Sequence, residues 1–395
     1  MNSVWEETEI AGIRLKNRII RSATQEGMAD DQGKPTPMLL RKYEALAKGE
    51  AGAIITSLTG VQANGKAPSG NMLMMDCDEN IEEFCKLTAS VHKYGTPIFM
   101  QLAHCGRQTL SKVTGYLTVA PSPIKDKLYR EDIPKELTEL DIFQLIEDFV
   151  LAVERAQKAG FDGVQLHLAH GYLLSSFLTP HMNRRNDQWG GSTENRFRII
   201  EQILQLAKKR AGDYPILVKM NGWEKSGDGI KLAEAIKIAK LLENAGCDGI
   251  EVSCGIMEEG FVTLRGEIPY EMILTNDRFK HTPKLFKPVI KRVIKRTLSS
   301  PEPRFLYNVD TAAEIKRHVK IPIIAVGGIR KLNDISDIIQ NGKSDYVSMS
   351  RPFIIEPGIV KKFRTGKQTE SKCIDCNYCI IGLENEPLKC YYGKA

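Results

Sequence analysis

Short apolar segments alternate with amphipathic helical patterns along almost the whole chain, and this alternation constrains the fold more than any other feature. Eight segments have the continuous hydrophobic character of strands that are buried on both faces. They are Ile19–Ile20, Ala53–Ile55, Pro97–Ala103, Val164–Leu168, Pro215–Asn221, Asp248–Ser253, Pro322–Val326 and Asp345–Met349. A doubly wound open sheet would also accept the alternation, but eight regular units favour a closed barrel. The sequence therefore predicts an α/β fold, a (β/α)8 TIM barrel.

Two long irregular stretches interrupt this alternation. Residues 105–140 contain three prolines, which predicts a loop or cap rather than a further domain. Residues 254–309 contain the basic segment Lys287–Arg296, whose apolar residues have helical spacing. We interpret that segment as a helix with a solvated basic face rather than as a nucleic-acid contact. The predicted division of the chain is a barrel over residues 1–365 and a cysteine-rich tail over residues 366–395.

Polar side chains stand where the predicted strands end. They are Thr24, Ser57, Gln101, His167, Lys219 and Arg351. The active site of a TIM barrel lies at the carboxyl ends of its strands, so these side chains are expected to meet there.

A phosphate site is predicted after the last two strands. Gly327 and Gly328 follow the seventh strand, and Ser350 and Arg351 follow the eighth. Glycine lets backbone N–H groups approach phosphate oxygens, and an arginine can bind two of them at once. A lysine followed by serine or threonine, as in a P-loop, is missing from this pattern, which disfavours triphosphate hydrolysis. A phosphate-anchored cofactor or a sugar-phosphate substrate fits better.

Three groups able to take part in proton chemistry lie within six residues at the end of the fourth strand. They are His167, His170 and Tyr172. Two imidazoles can each donate an N–H to one anionic oxygen, and a phenol beside them can deliver a proton to a carbon. A single histidine near apolar residues is more often structural, but three such groups before a polar loop favour a catalytic site.

Four of the nine cysteines are crowded near the end of the chain. Cys373, Cys376, Cys379 and Cys390 have a spacing that suits a [4Fe–4S] cluster or a tetrahedral zinc ion, and spacing alone does not choose between them. The other five are scattered and are expected to be small buried residues in a reducing compartment.

Charge and hydropathy narrow the class of protein further. The 55 basic and 49 acidic residues give a net charge of +6 without a concentrated basic patch, which argues against nucleic-acid binding. The first residues, MNSVWEETEI, lack the apolar core of a signal peptide, and apolar runs of membrane-spanning length do not occur. The sequence predicts a cytoplasmic protein and leaves a homo-oligomer open.

Several motifs, in the same order along the chain, resemble the old yellow enzyme family of FMN-dependent ene-reductases. They are LKNRI at 15–19, QLAHCGR at 101–107, GFDGVQLHLAHGYLLSSFLTP at 160–180, NRRND and WGGS within 183–196, and IPIIAVGGIR at 321–330. The segment RSATQEGMAD at 21–30 and the cysteine tail are similar to the branch with the N-terminal parts of 2,4-dienoyl-CoA reductase and trimethylamine dehydrogenase. We expect no counterpart of the FAD- and NAD-binding portion of that branch in this sequence.

The resemblance implies an FMN in the barrel mouth, so that residues 1–365 are expected to form an FMN-binding barrel. Its phosphate would lie at Gly327, Gly328, Ser350 and Arg351, and its ring near Ala23, Thr24, Gln101 and Lys219. Gln101 would bind the pyrimidine end of the ring, and Lys219 would stabilise the negative charge of the reduced flavin. The resemblance also favours a [4Fe–4S] cluster over zinc in the tail.

The activity implied by the resemblance is the reduction of an activated C=C bond with NADH or NADPH as the electron source. The substrate carbonyl would lie between His167 and His170, and Tyr172 would protonate the alkene carbon. An alternative is an oxidative amine or ether dehydrogenase that passes electrons through the cluster to a carrier. More distant alternatives are a flavin-free, metal-stapled binding protein and an aldolase-like barrel with Lys219 as a Schiff base.

Overall fold

The computed structural model describes residues 3–69, 71–129, 131–275, 282–298 and 300–393. The strands within these ranges are β1 (Thr8–Ile10), β2 (Ile13–Leu15), β3 (Ile19–Arg21), β4 (Ala53–Gly60), β5 (Leu73–Met74), β6 (Ile98–Ala103), β7 (Val119–Ala120), β8 (Lys135–Glu136), β9 (Gly163–Leu168), β10 (Ile216–Asn221), β11 (Gly249–Ser253), β12 (Ile323–Val326) and β13 (Tyr346–Met349).

The helices in the same ranges alternate with these strands. They are α1 (Pro37–Lys48), α2 (Ile81–His92), α3 (Ser111–Thr114), α4 (Glu139–Lys158), α5 (Leu173–Leu178), α6 (Thr193–Ala211), α7 (Leu232–Asn244), α8 (Tyr270–Ile273), α9 (Lys287–Thr297), α10 (Val309–Lys316), α11 (Leu332–Gln340), α12 (Arg351–Ile355), α13 (Ile359–Arg364) and α14 (Tyr378–Gly382). In the part of the chain that is described, none of them is long and apolar enough to cross a bilayer.

Eight parallel strands close into a barrel, which confirms the predicted fold. Starting from β3, the neighbours are β4, β6, β9, β10, β11, β12 and β13, and β13 pairs back to β3. The predicted strand positions are correct to within a residue or two, except that β4 continues to Gly60. Ser57, which was expected at a strand tip, therefore lies inside β4, next to a register irregularity between Ile55 and Leu58.

A hairpin that the sequence analysis did not predict closes the amino end of the barrel. β1 and β2 are antiparallel, and the two-residue turn between them has positive φ at Ala11 (50°) and Gly12 (80°), as a tight hairpin turn requires. Ile10 and Leu15 are fully buried in a small apolar cluster with residues from inside the barrel, such as Phe99. The hairpin thus acts as the floor of the barrel, opposite the predicted site.

The helices around the barrel begin at defined caps. The Thr36 hydroxyl accepts from the backbone of Leu39 at the start of α1, and Thr138 forms a capping box with Asp141 at the start of α4. Ser192 caps α6. These caps fix where each helix leaves its loop, and the buried faces of the helices then pack against the outside of the strands.

The two irregular stretches are only partly regular in the structure. The first contains α3 and the short parallel pair β7–β8. In the second, the predicted basic helix is present as α9, with Ile294 buried and Val289 and Val293 more than half exposed. Residues 276–281 and residue 299 of that predicted stretch lie outside the described residues.

The cysteine tail packs against the barrel. The backbone N–H of Leu388 donates to the carbonyl of Glu26, and the N–H of Ser371 donates to the carbonyl of Arg330. The N–H of Glu267 donates to the carbonyl of Asp375. Residues 394 and 395 of the predicted tail lie outside the described residues. These contacts place the tail beside the loops that follow β3, β11 and β12, and the last of these carries the predicted phosphate-binding glycines.

Candidate active site

A cavity lies at the carboxyl ends of the barrel strands, where the sequence predicted a site. Seven of the predicted residues line it: Ala23, His170, Lys219, Gly327, Gly328, Ser350 and Arg351. Ser22, Ser253, Asn308, Arg330, Ser348 and Asp375 also line it and were not predicted. The strand tips therefore converge as expected for a barrel of this type.

Strand register places three charged or ionisable side chains side by side across the barrel. Lys219 on β10 is the register partner of His167 on β9, and on its other side it is the partner of Glu251 on β11. Register partners on parallel strands point to the same face of the sheet. The three side chains are therefore neighbours because of strand pairing alone.

Glu251 is the centre of a buried polar cluster beneath the cavity. It is 0% exposed, and its carboxylate accepts hydrogen bonds from Ser22 Oγ (2.7 Å) and Ser348 Oγ (2.6 Å). Lys219 Nζ lies 3.4 Å from Glu251 Oε2 and donates to Ser22 Oγ at 3.0 Å. Burial disfavours the charge, but Lys219 and the hydrogen bonds outweigh it, so the pKa of Glu251 is lowered.

Gln101 was predicted for the site but does not itself line the cavity, and it is joined to Glu251 by a second glutamine. Gln101 Nε2 donates to Gln165 Oε1 (2.7 Å), and Gln165 Nε2 donates to Glu251 Oε2 (2.9 Å). Gln101 and Gln165 are paired in register on β6 and β9. Gln101 is thus buried and held in place by its neighbours.

The two histidines and the tyrosine form one aromatic cluster, in which His170 lines the cavity and His167 and Tyr172 pack behind it without lining it. The rings of His167 and His170 are 5.1 Å apart, and those of His167 and Tyr172 are 4.8 Å apart. His170 has a left-handed backbone (φ 66°), and its N–H donates to Asn221 Oδ1 at 3.2 Å. This conformation turns the chain sharply after β9 and allows three nearby residues to share one side of the mouth.

Burial keeps the three groups uncharged. It lowers the pKa of His167 and of His170 well below the ordinary histidine value, with smaller contributions from Lys219 to both. Burial raises the pKa of Tyr172 well above that of a free phenol. A neutral imidazole donates through one nitrogen only, so the tautomers matter.

The contacts of each ring indicate which nitrogen can donate. His167 Nδ1 faces the backbone N–H of Ala169 at 3.4 Å, so it acts as an acceptor and the proton belongs on Nε2. His170 Nε2 lies 2.8 Å from Ser253 Oγ. If the Ser253 hydroxyl donates to Nε2, then His170 carries its proton on Nδ1. The pair then offers two N–H donors, which suits an electron-rich oxygen.

The far end of the cavity suits an anion. Gly327 and Gly328 have positive φ (128° and 67°), and Arg330 and Arg351 stand on either side of the loop ends. Thr24 Oγ1 lies 2.8 Å from Ser350 Oγ, so these two predicted residues meet. Together with Lys219, the cavity has three cationic residues.

Unpartnered polar atoms point to a polar ligand at this end. Among the described residues, three buried side-chain atoms without a hydrogen-bond partner belong to residues that line this cavity: Asn308 Oδ1, Arg330 Nε and Asp375 Oδ2. A buried polar atom is costly to leave without a partner. Arg330 Nε is a donor that a phosphate oxygen could satisfy, whereas Asn308 Oδ1 and Asp375 Oδ2 are acceptors and need a donor on the ligand.

A second cavity is lined by the four cysteines of the tail. Cys373, Cys376, Cys379 and Cys390 all line it, together with Arg351, Asn377 and Tyr391. Burial raises the pKa of Cys373 to about 12 and that of Cys379 to about 11. Within the described ranges, no three His, Cys, Asp or Glu residues are arranged to hold a single metal ion.

Arg351 forms the wall between the two cavities. It lines both, it is 6% exposed, and its Nη1 donates to Asn377 Oδ1 (2.8 Å) and to the carbonyl of Arg265 (2.9 Å). Nη1 also lies 3.1 Å from Asp375 Oδ1. The arginine that was predicted to bind phosphate is therefore also tied to the cysteine tail.

An ionic cluster joins four loops at the mouth. Glu258, in the loop after β11, binds Arg107 Nη2 (2.8 Å) and His181 Nε2 (2.9 Å), and His181 Nδ1 lies 2.8 Å from Asp228 Oδ1. Burial disfavours the charge of Glu258, but His181 and Arg107 outweigh it and lower its pKa to about 2. Arg107 thus has a structural partner rather than a place in the cavity wall.

Comparison with known proteins agrees with this geometry. The chain matches the NADH:flavin oxidoreductase / NADH oxidase family over residues 5–259 and 270–370. It is 35% identical to an NADH oxidase from Thermoanaerobacter brockii, covering 98% of this chain and 55% of that protein. It is 31% identical to an NADPH dehydrogenase from Geobacillus sp. (strain WCH70), covering 88% of this chain and 89% of that one.

Solved structures show the same fold. The chain is similar to 2-naphthoyl-CoA reductase, solved with 2-naphthoyl-CoA, with a TM-score of 0.82, 23% identity, and coverage of 95% of this chain and 54% of that one. The chain spans about half the length of the first curated relatives that it matches, which are 51–55% covered.

Proposed function

Because the chain belongs to the NADH:flavin oxidoreductase / NADH oxidase family, known also as the old yellow enzyme family, we propose that it is an NAD(P)H-dependent flavoenzyme that reduces activated C=C bonds. The observation that carries the proposal is the cluster of His167, His170 and Tyr172 beside a cationic cavity. Two neutral N–H donors and one protonated phenol are the groups that reduction of an alkene conjugated to a carbonyl requires.

The cavity residues divide into two binding roles. Gly327, Gly328, Ser350 and Arg351 would hold the FMN phosphate, and Arg330 would add a second guanidinium there. Ala23, Thr24, Gln101 and Lys219 would surround the ring. The ammonium of Lys219 favours a ligand that gains negative charge on reduction. When bound, FMN supplies hydride transfer, taking a hydride from NADH or NADPH and giving it to the substrate.

The histidine pair and Tyr172 act on the substrate itself. His167 through Nε2 and His170 through Nδ1 would donate to the carbonyl oxygen of the substrate, which draws electron density away from the alkene. Tyr172 would then give its phenolic proton to the carbon next to the carbonyl. Its raised pKa means that the proton is present at every physiological pH.

The tail is proposed to hold a [4Fe–4S] cluster. Four cysteine side chains line one cavity, and in the described part of the chain no three of them are arranged to hold a single metal ion. A cluster has its four thiolates around a cube of iron and sulfide, so its ligands stand farther apart than zinc ligands do. Residues 366–395 would then form a cluster-binding tail on an FMN-binding barrel of residues 1–365.

The test is a pair of anaerobic half-reactions followed by absorbance near the flavin maximum. NADH or NADPH is expected to bleach the flavin, and an enone or enoate added afterwards is expected to restore the colour with one equivalent of saturated product. Bleaching by an amine or ether, without bleaching by NAD(P)H, would instead identify an oxidative dehydrogenase. A flavin that neither reagent reduces would contradict the proposal.

A further inference from the structure

A single buried carboxylate beneath the proposed flavin site connects β11 with three other strands and with the loop after β3. Glu251 on β11 receives Ser22 just after β3, Gln165 on β9, Lys219 on β10 and Ser348 on β13. It does not itself line the cavity, whereas Ser22, Lys219 and Ser348 do. An ionic group inside an otherwise apolar strand is costly, and β11 is buried throughout. The position therefore calls for an explanation beyond packing.

The charge of Glu251 fixes the direction of the two glutamine amides. A carboxylate only accepts hydrogen bonds, so Gln165 must present its NH2 to Glu251. Gln165 then presents its oxygen to Gln101, and Gln101 must use its NH2 to reach it. The carbonyl oxygen of Gln101 is thereby left as the end of the relay, available to accept a hydrogen bond from a ligand.

The same carboxylate holds the cation of the site. Lys219 Nζ is within 3.4 Å of Glu251 Oε2, and both contact the Ser22 hydroxyl, which accepts from Lys219 and donates to Glu251. Lys219 is 5% exposed and faces the cavity edge, so it has few other places to go. The position of Lys219 and the partial neutralisation of its charge both depend on Glu251.

We propose that Glu251 is a positioning residue of the flavin site, which orients Gln101 through Gln165, anchors Lys219, and lowers the reduction potential of the bound flavin. The inference rests on the proposed function, since it needs a flavin in the cavity. Reduction adds negative charge to the ligand, and a fixed carboxylate beneath it opposes that change. The carboxylate of Glu251 thus cancels part of the stabilisation that Lys219 gives to the reduced flavin.

The test uses the FMN-loaded full chain and an anaerobic redox titration against a reference dye. Glu251→Gln keeps the shape and removes the charge, so the potential is expected to become more positive. A tenfold gain in the equilibrium constant for two-electron reduction corresponds to about 30 mV, and a shift of at least this size is expected. Glu251→Asp withdraws the charge by one methylene and is expected to shift the potential in the same direction by less.

The matched control is Glu224→Gln. Glu224 is also a buried carboxylate near the mouth, but its partners Thr179, Asn221 and Ile230 do not line the cavity. Its variant is expected to keep the native potential. The relay alone is tested by Gln165→Met, which removes the hydrogen bonds of Gln165 to Gln101 and to Glu251 but leaves Glu251 and Lys219 in place. Without its fixed orientation, Gln101 is expected to lose its one hydrogen bond to FMN, which weakens FMN binding about tenfold with the potential unchanged.

Each outcome decides between the claims. A Glu251→Gln or Glu251→Asp enzyme that binds FMN with the native potential would overturn the electrostatic role. A Gln165→Met enzyme with native FMN affinity would overturn the relay. If Glu251→Gln does not fold, the Glu251→Asp potential decides the question. A native protein that binds no flavin would instead overturn the proposed function, and these variants would then have no flavin potential to compare.

Discussion

The barrel mouth and the cysteine tail lie on opposite sides of Arg351, and they are organised in different ways. In the mouth, Glu251, Lys219 and the two glutamines satisfy one another's hydrogen bonds, so the site is held in shape by the protein alone. In the tail, four cysteine side chains line a cavity, and among the described residues no three of them are arranged to hold a single metal ion. The comparison indicates that the mouth is preorganised, whereas the tail needs its cofactor to be completed.

The largest expected effect comes from a substitution in the barrel mouth that leaves the cysteine tail unchanged. Tyr172→Phe removes the proposed proton donor, so kcat for alkene reduction should fall about 10²–10⁴-fold. Flavin reduction by NAD(P)H should be unchanged, because that half-reaction needs no proton from Tyr172. Stopped-flow absorbance separates the two steps.

The matched control for this variant is Tyr214→Phe. Tyr214 is a buried tyrosine whose hydroxyl donates to the carbonyl of Phe161, away from the cavity. Its variant should keep the native rate, and a native rate for Tyr172→Phe as well would remove the phenol from the mechanism.

Substitutions of Arg351 test whether the barrel mouth and the cysteine tail are independent of each other. Arg351→Met removes a charged donor from the wall of both cavities, and the dissociation constant for FMN should rise about 10–100-fold, as for a lost hydrogen bond to a charged group. The measurement is the quenching of flavin fluorescence on titration of apoprotein. Arg351→Lys restores the charge but not the planar fork, so its affinity should be intermediate. Unchanged affinity in both variants would place the phosphate elsewhere.

Ser253 sharpens the account of the histidine pair. Ser253→Ala removes the partner of His170 Nε2 and with it the preference for a proton on Nδ1. We expect kcat/KM for the alkene to fall about 2–10-fold, the effect of one net hydrogen bond. Ser253→Thr keeps the hydroxyl and is the control. A loss of activity in both variants would indicate steric damage rather than a change of tautomer.

Loss of the proposed cluster from the tail should have little effect on flavin binding in the barrel mouth. Cys390→Ser removes one proposed ligand at a distance in sequence from Asp375 and Asn377, which contact Arg351. Iron content should fall, while the FMN stoichiometry should stay the same. Cys85→Ser, at an exposed cysteine outside the tail, should change neither. Loss of flavin together with iron would show that the mouth depends on the tail.

The pH profile should show the smallest effect. His167 and His170 have pKa values well below 6.5 and Tyr172 has one well above 10, so none of them titrates between these limits. The histidines gain charge only at a pH below their lowered pKa values, and the phenol loses its proton only above its raised value. The rate of the alkene step should therefore be flat from about pH 7 to 9. A change in this rate with a midpoint near pH 6.5 would show that a histidine titrates in the working enzyme.

The sequence predicted most of the fold and seven of the residues that line the cavity, for physical reasons. Strands buried on both faces give continuous apolar runs, so all eight barrel strands could be found. The hairpin β1–β2 was missed because its strands have three residues each, too few for a clear alternation. Ser57 was misplaced because β4 continues through polar residues that are buried.

Residues in the site were found when they ended a strand or followed a glycine pair, as Lys219 and Gly327 do. Glu251 was missed, although a lone carboxylate between Ile250 and Val252 in a buried strand was a usable signal. Arg330 and Asn308 come from loops whose approach to the cavity depends on tertiary packing. Their roles could not be predicted from local pattern.

The central claim is that a flavin occupies the cavity between the histidine pair and the glycine loop. The most direct measurement is the visible absorption spectrum of the anaerobically purified protein, with the released cofactor identified and iron assayed in the same sample. One FMN per chain in native protein, and a dissociation constant about 10–100-fold higher in Arg351→Met, is the result that we predict. A folded, colourless native protein that does not take up added FMN would contradict the account.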